Sequence, residues 1–226
     1  MKEASKSNRY REKEFAAKYF SGRVIDIGCG DDPVCPTAEP FDLADGDANN
    51  VAALRPRNSY DTVYSSHCLE HMKDAPKALA SWWELVKPGG HLIAVVPHED
   101  LYEQGHWPSL YNGDHKATFR LDQEKSWSPV SYDLRKLGAS LPGGEVVSAK
   151  IQDHGYDYSM KSFRRRNIPR VQGKVFRFAA RVRKYGRLGE FLIYLANKAA
   201  YWVGAPVDQT LGGALAQIEI IVRKKA

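Results

Sequence analysis

Cysteine is scarce in this chain. Cys29, Cys35 and Cys68 are the only three in 226 residues, and no two form a Cys-x-x-Cys pair. An odd, unpaired set excludes a disulfide framework and a cysteine-built zinc site, and it suits a reducing compartment. Long apolar runs are also missing, so no stretch reads as a bilayer span. The chain opens Lys2-Glu3-Ala4-Ser5-Lys6-Ser7, without the apolar core of a secretory leader, and a cytoplasmic location is expected. There is no internal repeat and no low-complexity tail. Acid is absent over one segment: from Lys161 to Arg187 there are many Lys and Arg, and the next carboxylate is Glu190. The formal charge of +6 is therefore localised, and anionic partners fit it.

What is present begins at Val24-Ile25-Asp26-Ile27-Gly28-Cys29-Gly30. Val24, Ile25 and Ile27 suit a strand covered on both faces. Gly28 and Gly30 allow a tight turn in which the backbone can touch a ligand. Residues 8–20 have the spacing of an amphipathic helix with Phe15, Ala16, Tyr19 and Phe20 on one face and Asn8 as its cap. Asp31 to Pro40 carries Pro33, Pro36 and Pro40 and excludes a long helix. Phe41-Asp42 reads as the end of a second strand, Val51–Leu54 as a short helix, and Tyr60–Ser66 as a third strand rich in β-branched and aromatic residues. Asp74 caps a helix bearing Leu79, Trp82, Trp83 and Val86. Lys87-Pro88-Gly89-Gly90 ends it and turns the chain into His91–Val96. A helix is expected over Ser128–Gly138. Glu145–Gln152 and Gln217–Arg223 read as an antiparallel edge pair.

This alternation predicts one α/β domain over 1–226: a Rossmann-like, doubly wound, mostly parallel sheet with an antiparallel edge hairpin. Residues 160–205 form a basic helical insertion between the last two strands. Val175, Phe178, Val182 and Tyr185 mark one helical face there, Lys174, Arg177, Arg181 and Lys184 another, and Phe191, Leu192, Leu195 and Trp202 a second apolar stripe. Ligands in such sheets sit beyond the carboxyl ends of the strands. Gly28–Gly30, Asp42, Asp47, Ser65–His71 and His98–His115 all map to that edge.

Val24–Gly30, Tyr60–Ser66 and Glu84–Val96, with its Lys-Pro-Gly-Gly turn, resemble three successive signatures of the class I S-adenosylmethionine (SAM) dependent methyltransferases of the type 11-like group. A dinucleotide Gly-x-Gly-x-x-Gly is incomplete here, because Pro33 stands at the last glycine. The resemblance implies SAM as cofactor. It places Asp26, Gly28, Cys29 and Gly30 at the methionine end and Asp42 on the ribose hydroxyls, with Asp45 as the alternative. It sets Asp47 on the adenine amino group with Ala48 behind the ring, and Ser66 and His67 near the sulfonium. It also implies an N-terminal helix lying over the cleft, although packing on the sheet edge is an equal alternative.

Pro97–Phe119 and Val207-Asp208-Gln209-Thr210 are similar to methyltransferases of bacterial surface-polysaccharide pathways. On that resemblance the acceptor is a hydroxyl of a sugar or cell-surface glycan precursor. An alcohol needs its proton removed, and His115 is the candidate base, held by Asp114 or a neighbour, with His67 also in the catalytic set. Trp107, Tyr111, His106 and Asn112 are the candidate acceptor contacts. No metal is assigned, because the spacing of His98, Glu99, Asp100 and Asp114 is irregular. Glu70 and His71 read as loop anchors beside SAM. The basic helices suit a solvated lid, an anionic glycan, or docking of a peripheral enzyme on the inner membrane face. Two rivals stay open: an RNA or protein methyltransferase recruited through those helices, and a non-catalytic SAM-fold binding subunit. Nucleic acid is disfavoured because no Asn/Asp-Pro-Pro-Tyr/Phe motif occurs. The oligomeric state is open.

Overall fold

Strands that alternate short turns and helices, and that are apolar on both faces, pair in parallel. Val24–Ile27 (β1), Glu39–Phe41 (β2), Tyr60–Ser66 (β3) and Val86–Pro97 (β4) do so in a computed structural model that describes residues 2–226. Thr118–Arg120 (β5) and Ser131–Asp133 (β6) form a separate parallel pair. Gly144–Gln152 (β7) and Gln217–Lys224 (β8) add antiparallel strands, giving the order β2-β1-β3-β4-β8-β7. The expected Rossmann-like sheet with an antiparallel edge is therefore present.

Side chains alternate across the sheet. Ile25, Ile27, Phe41, Val63, Leu92 and Ile220 face the helix Ala75–Leu85 (α3), whose Leu79 and Trp82 are fully buried, and the short helix Leu134–Ala139 (α4). Val24, Tyr64, Ile93, Val95 and Ile221 face the N-terminal segment through Tyr19 and Phe20. Asp74 caps α3 by accepting from the Lys77 amide at 3.1 Å, as its sequence predicts.

Three expectations change. Residues 8–20 are not one helix: Glu3–Asn8 (α1) and Lys13–Tyr19 (α2) flank an extended Glu12. Asn8 ends the first helix, and its amide donates to the Val34 carbonyl instead of capping. Between the two helices Arg11 drops onto the sheet, where its guanidinium meets buried Glu219 at 2.7 Å and lies over the rings of Phe15 and Tyr64. Ala16 faces solvent. Lys87–Gly90 does not leave the sheet. It is an irregular start to β4, with Gly89 at φ +81° and the register shifting between Tyr60 and Thr62. Ser128–Gly138 begins as strand β6, and its helix starts only at Asp133, whose carboxylate accepts from the Lys136 amide.

Between β7 and β8 lie two helices, Pro169–Val182 (α5) and Arg187–Trp202 (α6). They seat on Met160, Ala205 and Val207 through Val171, Val175 and Ala200. The stripe Phe191, Leu195 and Trp202 is not the packing face of α6. Gly189, Ile193, Asn197 and Ala200 are buried, while Phe191 is 55 % and Trp202 79 % exposed. Among the described residues no helix is long and apolar enough to cross a membrane.

Candidate active site

The turn after β1 needs glycine. Gly28 has φ +77°, and a Cβ there would lie 2.5 Å from Cys68 Sγ. Gly30 has φ +56°, and a Cβ would enter open space with only Asp42 Oδ2 within reach, at 4.0 Å. That space belongs to a cavity of about 210 Å³ lined by Asp26, Gly28, Cys29, Gly30, Asp42, Ser66 and His67. A broader cavity of about 700 Å³ continues from it past Asp42 and His67 to Phe41, Asp47 and Ala48. All nine residues expected at the cofactor thus line one continuous cleft at the carboxyl edge of β1, β2 and β3. Glu3 and Ala4 of α1 close the smaller cavity, so the first helix, and not the second, lies over it.

Individual side chains sharpen the set. Asp26 is buried and accepts from the Val34 amide at 2.7 Å. Burial first, then the charges of Asp32 and Asp42, push its carboxyl up to about 7 against the Val34 hydrogen bond. Asp42 accepts from the Gly30 amide at 2.6 Å and stays on the cleft. Asp45 instead accepts from the Asp42 amide and faces Arg55 at 3.5 Å, and it lines neither cavity. The Ser66 hydroxyl is buried without a partner on the cavity wall. A buried hydroxyl with no protein partner and a carboxylate on the cleft wall, beside a turn stripped of side chains, fit an extended polar ligand such as SAM.

The opposite wall carries Glu70, His71, Tyr102, Asn112 and His115. The chain reaches it by a wide helical turn, Glu99–Glu103, followed by Gln104 at φ +55° and Gly105 at φ +80°. Glu103 Oε1 lies 2.5 Å from His115 Nδ1, with both side chains buried. Burial works against a charged His115 ring, yet Glu103 and Glu70 outweigh it and hold the imidazole above its ordinary range. Asp114 is not the partner of His115. The turn Asn112–His115 sends its carboxylate outward to His71 Nδ1, at 2.9 Å. His67 adopts φ +53° and sets Nε2 3.0 Å from Gln217 Oε1.

A third cavity, of about 450 Å³, shares Tyr102 with the cleft and is lined by Tyr111, Asn167, Gln172, Arg177, Val207 and Asp208. Of the candidate acceptor contacts, Tyr111 lines this third cavity and Asn112 lines the smaller cavity of the cleft. His106 and Trp107 line neither this cavity nor the cleft, because the positive-φ turn at Gln104–Gly105 carries them past it. His98, Glu99 and Asp100 are also occupied elsewhere. His98 Nδ1 accepts from the Asp100 amide, Glu99 Oε2 takes three hydroxyls, from Thr118, Ser126 and Ser131, and Asp100 takes the Trp127 indole.

Sequence reasoning did not find Glu103 or Tyr102 as wall residues, and it favoured an anchoring role for Glu70 and His71 over a catalytic one. The adjacent Glu70-His71 pair after β3 was the one signal available. Nothing in the spacing links Glu103 to His115.

A glycine turn, a carboxylate on the cleft at the end of the second strand and this sheet order fit a class I SAM-dependent methyltransferase. The methyltransferase-domain family matches residues 5–137, more than half of the chain, and the protein belongs to that family, with SAM as its cofactor. Among solved structures the fold resembles a SAM-dependent methyltransferase from Archaeoglobus fulgidus, with 17 % identity, a TM-score of 0.47, and 98 % of this chain and 92 % of that one covered. It also resembles a SAM-dependent methyltransferase from Thermotoga maritima described as a possible histamine N-methyltransferase, with 14 % identity, a TM-score of 0.45, and coverage of 99 % and 88 %. No curated protein matches the sequence.

Proposed function

We propose that the protein O-methylates a hydroxyl of a sugar or cell-surface glycan precursor. The observation that carries this reading is the second wall. Two imidazoles, His71 and His115, each have Nδ1 held by a carboxylate and turn Nε2 toward Glu70. That arrangement fixes the tautomer and leaves a lone pair on the cavity side, which is what a hydroxyl acceptor needs for loss of its proton. SAM, when bound, supplies a methyl on a positively charged sulfur. Asp42 is suited to the ribose, Asp47 to the adenine edge, and Asp26 with Gly28 and Gly30 to the methionine end. The third cavity, with an aromatic ring at Tyr111 and amides at Asn167 and Gln172, has the mixed character of a sugar site.

The test is transfer of labelled methyl from SAM to a panel of nucleotide sugars, glycans, RNA and proteins. His115→Ala should lower turnover by about 10²–10⁴-fold while leaving S-adenosylhomocysteine affinity intact. Transfer to RNA or protein alone, or full activity in the variant, would remove this reading.

The acceptor is further proposed to be met at an anionic lipid surface. Arg170, Lys174, Arg177 and Arg181 share one exposed face of α5, Lys184 is exposed in the turn after it, and Phe176, Tyr185, Leu188, Phe191 and Trp202 of the same insertion are exposed too. An insertion that exposes both cations and aromatic and aliphatic side chains matches a lipid interface. Replacing Arg177, Arg181 and Lys184 with Gln should weaken binding to phosphatidylserine vesicles by about 1 kcal/mol per charge. Equal co-sedimentation of variant and parent would eliminate the surface.

A further inference from the structure

Glu70 has an electrostatic problem that the reading above does not solve. Its side chain is 1 % exposed, and neither carboxylate oxygen has a hydrogen-bond partner. A buried carboxylate without a partner is costly, and such groups are normally paired or bound to a cation. Three imidazole nitrogens surround Oε1 without bonding to it: His67 Nδ1 at 3.5 Å, His71 Nε2 at 4.0 Å and His115 Nε2 at 4.0 Å. A separation of 4.0 Å is not a hydrogen bond.

The separation is, however, close to what a shared cation requires. Donor atoms of Glu70, His71 and His115 all lie within 4.8 Å of one another. Ligands about 2.1 Å from a common ion at tetrahedral or octahedral angles stand about 3.0–3.4 Å apart. Closing from 4.0 Å needs a movement of under about 1 Å, within reach of small side-chain rotations. The outer contacts are those of a metal site as well. A metal-binding histidine commonly gives its second nitrogen to a carboxylate, which fixes the tautomer. His71 gives Nδ1 to Asp114 and His115 gives Nδ1 to Glu103.

We propose that Glu70, His71 and His115 bind a divalent transition-metal ion at the acceptor end of the cleft. Two imidazoles and one carboxylate select first-row ions such as Mn²⁺, Fe²⁺, Co²⁺ or Zn²⁺ over Mg²⁺ or Ca²⁺, which prefer oxygen ligands. Three protein ligands leave coordination positions open, and the cavity supplies the room. There the ion would hold the acceptor oxygen beside the cofactor, and a bound hydroxyl is more acidic than a free one. With the ion bound, the lone pairs of His71 and His115 serve it in place of acting as the base described above, and the acidified hydroxyl would give its proton to water in the open cavity. Only this role for the ion rests on the hydroxyl reading; its binding does not.

The test uses the full chain, stripped with EDTA and titrated with Mn²⁺, Co²⁺ and Zn²⁺ by calorimetry, and with Co²⁺ by visible absorption. One equivalent should bind, and the Co²⁺ spectrum should carry nitrogen-ligand bands. Glu70→Gln, which keeps shape, and His71→Gln, on the less buried side of the site, should each weaken binding by at least about 100-fold, and Glu103→Gln and Asp114→Asn by about 10–100-fold. Circular dichroism and S-adenosylhomocysteine binding check that each variant is folded. No stoichiometric binding at millimolar ion, or binding that survives Glu70→Gln and His71→Gln in folded protein, overturns the site. Metal bound by these residues without methyl transfer to any hydroxyl would leave the site standing and remove the acceptor reading.

Discussion

The two walls of the cleft are made differently. The cofactor wall comes from consecutive strand ends, β1, β2 and β3, within residues 26–67, and most of its contacts are backbone turns and short carboxylates. The opposite wall is assembled from Glu70-His71, from a wide helical turn at 99–103 and from a loop at 112–115. Its hydrogen bonds join residues 12 and 43 positions apart. The first wall is a shape written in glycine and needs few side chains. The second is a charge network in which each member depends on another.

That contrast can be broken by substitution, and the largest effect should come from Gly28. A side chain there needs φ +77° and would sit 2.5 Å from Cys68 Sγ. Gly28→Ala should cost about 2–4 kcal/mol in strain and overpacking. Urea denaturation measures that loss, and calorimetry should show S-adenosylhomocysteine binding abolished. Substitutions in the other wall should do the reverse, removing turnover and sparing the cofactor. Gly28→Ala with unaltered affinity would mean that the cofactor does not use this turn.

Asp42 and Asp45 sharpen the same wall. Asp42 lines both parts of the cleft, and Asp45 is turned away to Arg55. Loss of charge-assisted hydrogen bonds to a ribose is worth about 1.5–3 kcal/mol, so Asp42→Ala should weaken S-adenosylhomocysteine by about 10–150-fold. Asp45→Ala should change it by less than about threefold, since it removes a surface ion pair and a turn hydrogen bond to the Asp42 amide, and its side chain does not line the cleft. The opposite ranking would move the ribose role to Asp45.

The sequence made the first wall legible because its physics is local. A buried apolar strand, a glycine at a forced positive φ and a carboxylate at a strand end are neighbours in the chain. Val24–Gly30, Asp42 and Asp47 could therefore be placed before any coordinates. The mostly parallel sheet, the antiparallel edge and the helical insertion were legible for a similar reason, since each follows from a run of one periodicity, whereas the strand order was not. The second wall was only half visible. His115 was singled out, but Asp114, its chain neighbour, serves His71, and the partner of His115 is Glu103. Adjacent residues in a loop point in different directions, and no period reports which one turns inward. His106 and Trp107 were misleading for the same reason. The break at Glu12 was hidden because Arg11 leaves the helical path for Glu219, more than two hundred residues away. The exposed stripe on α6 shows the limit of periodicity itself: helical spacing of Phe191, Leu195 and Trp202 defines a face without saying what covers it.

The smallest effect expected tests how the first wall handles charge, through Asp26. In the ligand-free protein burial holds its carboxyl near 7, above the value of about 3.9 in an unfolded chain. The folded state therefore binds more protons than the unfolded one between those values. The stabilising contribution is complete below about pH 4 and is lost as the pH rises through 7. A cationic ligand group beside Asp26 favours the ionised form, so binding SAM below pH 7 should drive a proton off. Affinity should then rise by at most about tenfold per pH unit up to 7 and level off above it. Calorimetry at pH 6 in buffers of different ionisation enthalpy counts the released proton directly. Asp26→Asn should abolish the release and flatten the pH dependence. A wild-type protein that releases no proton at pH 6 would mean that Asp26 stays protonated beside the bound cofactor. The first wall would then act by shape alone, and the charge network would be confined to the second.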